Sequence, residues 1–312
     1  MLAPDASRLV LDDPRCPGRP RCAFAGLGCW GRRLLARVAS SFDIVALVGT
    51  GRPESVAWSV RNYPDVPYLD TLTKALALPA LDAVFLATPT FTHAELAAQA
   101  LAAGCHVFVE KPLAVDPRDA IRVLAKAAER DLEVFIGYVY LFHPGFDFLR
   151  ALAPPGDVES LQFDWVRPQL AGKLHEELLC HDLAMSIALT GELPRKVEVL
   201  EYDHTTLRCA IELPSGRACR ASMRAPGDGE KSKVVDVRYV DGRAYTWRDD
   251  QVADLTDPRT NLLTPVLDEP LSREVAAFRR AIDGTGPRMT TDRRLSVGIS
   301  RLLSDVGRSL RS

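Results

Sequence analysis

Two short stretches of this sequence place charged or small residues where chemistry could be done. Residues 104–115 read GCHVFVEKPLAV, an apolar run that ends in Glu110, Lys111 and Pro112. Arginine far outnumbers lysine in the chain, so a lysine kept at the end of a buried run calls for a chemical reason. An ammonium there can give a proton or a hydrogen bond to a carbonyl oxygen as charge develops on it, or orient an alcohol for oxidation. The second stretch, AFAGLGCWGRRLLARV, carries Gly26, Gly28 and Gly31 in the spacing G-x-G-x-x-G, with Cys29 and Trp30 inside the turn. This spacing suits a pyrophosphate. The first glycine permits a tight strand-to-helix turn, the second lets backbone approach the phosphates, and the third allows close helix packing. The phosphates then meet the free N–H groups at a helix N-terminus.

The end of the next apolar run bears on which dinucleotide is held, because an acidic residue about 20 positions on usually holds the ribose 2′-hydroxyl of NAD. Here that place reads ALVGTGRPES, with no acid at Gly49 or Thr50 and with Arg52 close by. A small uncharged turn with a guanidinium suits a 2′-phosphate better, so the expected cofactor is NADP, with NAD the lesser choice. Thr50 and Arg52 join the cofactor-side residues.

These residues need elements to position them. From Arg21 to about Tyr140, the runs RCAFAG, FDIVALVG, LDAVFLATP, HVFVEKP and LEVFIGYVY read as buried strands. CWGRRLLARVASS, THAELAAQALAAG and DPRDAIRVLAKAAERD between them have helical spacing. Strands separated by such helices predict a parallel sheet covered on both faces. Thr92 with Glu95 reads as a capping box, Gly104 as a helix stop and Asp116 as a cap. In such a sheet, ligands bind beyond the carboxyl ends of the strands, where both ATPTFTH and VEKPLA fall. Lys111 is then expected to face the nicotinamide. After Pro144 one helical stretch, HEELLCHDLAMSIALTG, is followed by KVEVLEYDH, TLRCAIELP, RACRASMRA, KVVDVRYVDG and RAYTWRDD, with turn signals at 213–216, 226–229 and 241–242. They predict an antiparallel sheet with a helix on it and two closing helical segments.

The chain has 312 residues, enough for two domains, and a formal net charge of -2, which suggests neither nucleic acid nor a membrane surface as partner. Seven cysteines, at 16, 22, 29, 105, 180, 209 and 219, form no C-x-x-C pair, so a reducing cytoplasm is the simplest setting. No apolar run approaches the roughly 20 residues of a membrane helix. His143, His175 and His204 lack metal-ligand spacing, and no metal is expected. Residues 1–20 read as a loose Pro-rich lead-in, 21–140 as the dinucleotide-binding domain, and 141–312 as a substrate and oligomerisation domain that includes the closing helices.

Taken in order, GLGCWG, ATPTFTH at 87–93, EKP at 110–112, GYVYLFHP at 137–144 and the terminal EVAAFRRAIDGTGPRMTTDRRLSVGISRLL resemble the Gfo/Idh/MocA oxidoreductases. The resemblance covers most of the chain from about residue 21. It implies an N-terminal Rossmann domain, a C-terminal α/β domain with a largely antiparallel open sheet, and a homodimer or homotetramer formed through that sheet. Lys111 looks like the family's catalytic lysine, and Thr88, Pro89, His93 and Glu110 like its cofactor-side residues. The family usually carries Asp, Gly and His at the start of a pocket-lining helix, where this sequence has Glu177, Leu179 and His181. A neutral His181 could relay the proton of Lys111, with Glu177 one helical turn away to bias it. Asp182 reads as a surface or supporting residue. Val139, Tyr140 and Leu141 replace residues that are often polar in the family, leaving Tyr138, Tyr140, Arg167 and Lys173, with Gln169 nearby, as substrate contacts.

The expected activity is hydride transfer between nicotinamide and a carbonyl or alcohol carbon of a small metabolite such as a keto sugar or cyclitol. Reduction of a carbon–nitrogen double bond, and a nucleotide-binding regulator without turnover, are the alternatives.

Overall fold

The computed structural model describes residues 18–168, 170, 172, 174–256, 261–263, 269–289 and 292–311. Apart from Gly18 to Pro20, the expected lead-in lies outside the described residues, as do Gln169 and Lys173. The chain forms two compact units: one from residues 1–114, 118–137 and 271–292, the other from 115–117, 138–270 and 293–312.

The first unit alternates strands and helices: β1 (Arg21–Ala25), α1 (Cys29–Val38), β2 (Asp43–Val48), α2 (Pro53–Asn62), β3 (Tyr68–Leu69), α3 (Leu72–Leu76), β4 (Ala83–Leu86), α4 (His93–Ala102), β5 (His106–Glu110), α5 (Pro117–Glu129) and β6 (Val134–Gly137). Its strands pair in the order β3-β2-β1-β4-β5-β6, all in parallel. This is the doubly wound order, with its switch point beside β1. Strands β4 and β6 are buried along their whole length, as expected of a sheet covered on both sides.

The capping box does not form. Thr92 precedes α4 but makes no side-chain cap, because its hydroxyl is taken by Thr88 Oγ1 and the Pro89 carbonyl, each at 2.7 Å. Gly104 does end that helix, in the left-handed region at φ 85°.

The helix Pro270–Ile282 also belongs to the first unit, not to the second domain as its place in the sequence suggested. Its Phe278 packs within 5.3 to 5.7 Å, ring centre to ring centre, of Phe42, Phe85, Phe108 and Phe135. Those rings come from β4, β5, β6 and the turn before β2, so the helix completes one aromatic core. Glu274, one turn before Phe278, is fully buried there, and burial followed by the charge of Glu110 holds its carboxyl well above the usual carboxylate range.

The second unit contains α6 (Pro144–Ala151), β7 (Val158–Val166), α7 (Cys180–Thr190), β8 (Lys196–Tyr202), β9 (Thr206–Glu212), β10 (Ala218–Arg224), β11 (Ser232–Tyr239), β12 (Ala244–Arg248) and β13 (Gln251–Asp254), and the helix Ile299–Ser309. The sheet order is β13-β12-β11-β7-β10-β9-β8, antiparallel except where β7 runs parallel to β10. The five alternating segments expected from sequence form β8 to β12, and the central strand β7 and the edge strand β13 are added to them. Gly216, Gly229 and Gly242 hold positive φ at the three turns. Among the described residues, no helix is long and apolar enough to cross a membrane.

Candidate functional site

In the first unit, the carboxyl ends of β1, β4 and β5 bring the glycine turn, Thr88–Pro89 and Glu110–Pro112 to one edge of the sheet. The three glycines have different physical reasons to be there. Gly26 sits at φ 101°, and a Cβ on it would collide with the Ala87 backbone; a Cβ on Gly31 would fall onto the Gly26 carbonyl oxygen. Both are demanded by the protein's own packing. A Cβ on Gly28 would meet nothing within 4 Å, and this residue heads α1 without any side-chain cap. Uncapped N–H groups beside an open position fit a dinucleotide pyrophosphate. Cys29 and Trp30 are exposed in the first turn of α1, and Thr50 and Arg52 are exposed where β2 turns into α2. Arg32 crosses from α1 to α2, donating from Nε to the Leu27 carbonyl at 3.0 Å while its guanidinium lies 4.7 Å from the Trp58 ring centre.

The two other loops on this edge are tied together by His93. Its Nε2 lies 2.8 Å from the Thr88 carbonyl oxygen and its Nδ1 lies 2.9 Å from that of Pro112. A neutral imidazole donates to one of the two, and only the imidazolium could donate to both. Burial pushes the ring's pKa down; the two carbonyls pull it up and Lys111 adds to the downward push. Burial prevails, so the ring is neutral at physiological pH. Glu110 is buried under Gly137, where a Cβ would press on its carboxyl group, and Lys111 is half-buried just beyond it, joined to Pro112 by a cis peptide bond.

In the second unit, α7 is entered through a π-helical turn over His175–Leu179. Glu177 lies inside that turn, four residues before His181. Its side chain is exposed, whereas His181 is 7% exposed. Leu179 is fully buried. His181 packs edge to face on Tyr140, with ring centres 4.8 Å apart, and Trp165 stands 6.3 Å away. Asp182 is not a surface residue: it is fully buried and accepts a hydrogen bond from Trp165 Nε1 at 2.7 Å. Burial nonetheless holds its carboxyl well above the carboxylate range.

The two expected substrate tyrosines separate. Tyr138 is 1% exposed and its hydroxyl donates to the Leu295 carbonyl at 2.8 Å, so it is a core residue rather than a substrate contact. Tyr140 is half-buried, and its hydroxyl accepts from Arg167 Nη2 at 2.8 Å. Lys173 lies outside the described residues. His143 caps α6 by accepting from Gly145 N at 3.1 Å, and its Nε2 lies 3.3 Å from Asp250.

Lys233 was not anticipated. On β11 it occupies the buried side, in register with Val235, Val237 and Tyr239, where alternation calls for an apolar residue. Its ammonium lies 3.1 Å from the Trp247 ring centre and 4.4 Å from that of Tyr140. Burial holds it well below the ordinary lysine range; Asp249 and Asp250 pull it back only in part, and Arg167 pushes it further down.

Comparison with known proteins agrees with this architecture. The family model described as "Oxidoreductase family, NAD-binding Rossmann fold" (GFO_IDH_MocA) matches residues 20–138. A 4-carboxy-2-hydroxymuconate-6-semialdehyde dehydrogenase from Sphingobium is 33% identical over 231 residues, 67% of this chain and 73% of that protein. A UDP-N-acetylglucosamine 3-dehydrogenase from Acidithiobacillus ferrooxidans is also 33% identical, over 39% of this chain and only 40% of its own length. The solved structure of scyllo-inositol dehydrogenase from Lactobacillus casei, with NAD(H) and scyllo-inositol bound, superposes with a TM-score of 0.77 at 17% identity, covering 92% of this chain and 95% of that one, and thus shares the fold. On this combined sequence and fold match, the chain belongs to the Gfo/Idh/MocA family of NAD(P)-binding oxidoreductases.

Proposed function

We propose that this protein is an NADP-dependent oxidoreductase acting at a carbonyl or alcohol carbon of a small polar metabolite such as a keto sugar or cyclitol. The observation that carries the reading is the single sheet edge holding an open Gly28 at the head of α1, with Lys111 at the end of β5. A nicotinamide dinucleotide bound there supplies or accepts the hydride. Gly26, Gly28 and Gly31 shape the turn, the first N–H groups of α1, including those of Cys29 and Trp30, face the phosphates, and Arg52 with Thr50 receives the 2′-phosphate. Thr88, Pro89, His93 and Glu110 fix the loops that carry Lys111.

Lys111 gives its proton to the substrate oxygen in reduction and recovers it in oxidation. His181 serves as a second proton-holding group, Glu177 biases it, and Tyr140 and Arg167 contact substrate. The cysteine usage favours a cytoplasmic enzyme, and the open sheet of the second unit favours a homodimer or homotetramer. The test is NADPH binding followed by its consumption with a panel of keto sugars, oxidised cyclitols and imines. Binding with turnover of a carbonyl substrate supports the reading. Turnover confined to imines would redirect it. Binding without turnover on any of them would favour a regulator, for which the Glu177 and Leu179 departures are the motive.

A further inference from the structure

The cluster around Tyr140 holds two basic side chains, Lys233 and Arg167, that no carboxylate pairs directly among the described residues. Lys233 is 5% exposed, yet among the described residues its ammonium makes neither a hydrogen bond nor an ion pair; its neighbours are the faces of Trp247 and Tyr140. Arg167 sits against the same tyrosine, donating from Nη2 to its hydroxyl at 2.8 Å with its guanidinium 5.5 Å from the Trp165 ring centre, and it too has no carboxylate partner among the described residues. The available acids compensate only in part. Asp182 is buried with its carboxyl held well above the usual carboxylate range and one oxygen taken by Trp165, Asp249 uses an oxygen on the Lys233 backbone N–H at 3.4 Å, and Asp250 is 94% exposed and beside His143. Cation–π contact returns about 0.5–2 kcal/mol per ring. Desolvating an unpaired ammonium costs several kcal/mol, so packing alone gives no reason to keep a lysine in a position that methionine or leucine would fill.

We infer that Lys233 and Arg167, set on Tyr140 beside His181, form a receptor for a carboxylate group of the substrate. This deepens the oxidoreductase reading and rests on it for the word substrate, since the metabolite would be a sugar acid or keto acid rather than a neutral polyol. A carboxylate suits the site better than a phosphate dianion. Asp249 and Asp250 already offset part of the positive charge, leaving room for about one negative charge, and the aromatic walls favour a flat, weakly hydrated anion.

The experiment uses the full chain without cofactor and follows Trp fluorescence, to which Trp165 and Trp247 contribute, during titration with gluconate, inorganic phosphate and neutral myo-inositol at constant ionic strength. Saturable gluconate binding is expected, weakened roughly thirtyfold or more by Lys233→Met and by Arg167→Gln, with phosphate much weaker and inositol without effect. Absence of saturation, unchanged binding in a folded Lys233→Met or Arg167→Gln protein, or phosphate binding as tightly as gluconate would each overturn it. Circular dichroism of both variants reports folding, and Arg167→Gln, at a half-buried site, keeps the test decisive if Lys233→Met does not fold. NADPH titration of the same sample reports separately on the oxidoreductase reading, so the two can fail independently.

Discussion

The imidazole of His93 lies within hydrogen-bonding distance of the Pro112 carbonyl oxygen, 2.9 Å from Nδ1, and its other nitrogen reaches the Thr88 carbonyl. One buried ring thereby fixes the loop after β4 against the loop that carries Lys111. His93→Phe keeps the volume and removes the hydrogen bond that the neutral ring donates to one of these carbonyls together with its polar contact to the other. It should lower stability by about 1–3 kcal/mol and weaken NADPH binding roughly tenfold, read by denaturant unfolding and fluorescence titration. Full NADPH affinity in a folded variant would show that the ring serves the core alone.

The glycine turn makes a contrast between two equal-sized changes. Gly31→Ala drives a methyl group into the Gly26 carbonyl and should cost about 1–3 kcal/mol of stability. Gly28→Ala meets open space, so its melting temperature should stay near that of the parent while NADPH binding falls at least roughly tenfold. Loss of stability in Gly28→Ala with unchanged binding would reverse the roles given to the two glycines.

Glu274 gives a pH signature. Its carboxyl is raised in the folded state, so the ionised form is the unfavourable one: the cost is absent below the ordinary glutamate value of 4.5 and grows as pH rises through and above it. Glu274→Gln should remove this cost. The variant should match the parent near pH 4 and exceed it by roughly 1 kcal/mol or more at pH 8. Parallel stability curves across that range would contradict the account.

Cofactor choice rests on Arg52, exposed at the N-terminus of α2. Arg52→Asp leaves a good helix cap and replaces a partner of the 2′-phosphate by a charge that repels it. The ratio of NADPH to NADH affinity should fall by roughly tenfold or more, measured by parallel titrations. A parent protein that binds NADH more tightly would show that Arg52 does not face the ribose.

The first unit was largely legible because its strands are short, mostly apolar and separated by helices, a pattern with one common solution. Its two-residue strand β3 was not, since Tyr68–Leu69 is too short to carry a period. Phe278 shows why the helix Pro270–Ile282 could not be separated from the second domain by sequence: periodicity marks an amphipathic helix but not which core receives it. In the second unit, β7 alternates visibly at Leu161, Phe163 and Trp165, and it is a strand that reading for turn signals alone passes over. Tyr138 was misjudged because its hydroxyl partner, Leu295, is distant in sequence. Lys233 sits within the alternation of β11 as a single polar residue, and only the placement of Trp247 and Tyr140 shows that it is buried.

The central claim is that Lys111 performs proton transfer in an NADPH-dependent reaction, and Lys111→Met tests it most directly. With a carbonyl substrate found by the turnover screen, the variant should bind NADPH within about threefold of the parent while kcat falls by roughly 10²–10⁴-fold. Unchanged kcat in a variant that binds NADPH normally would contradict the account.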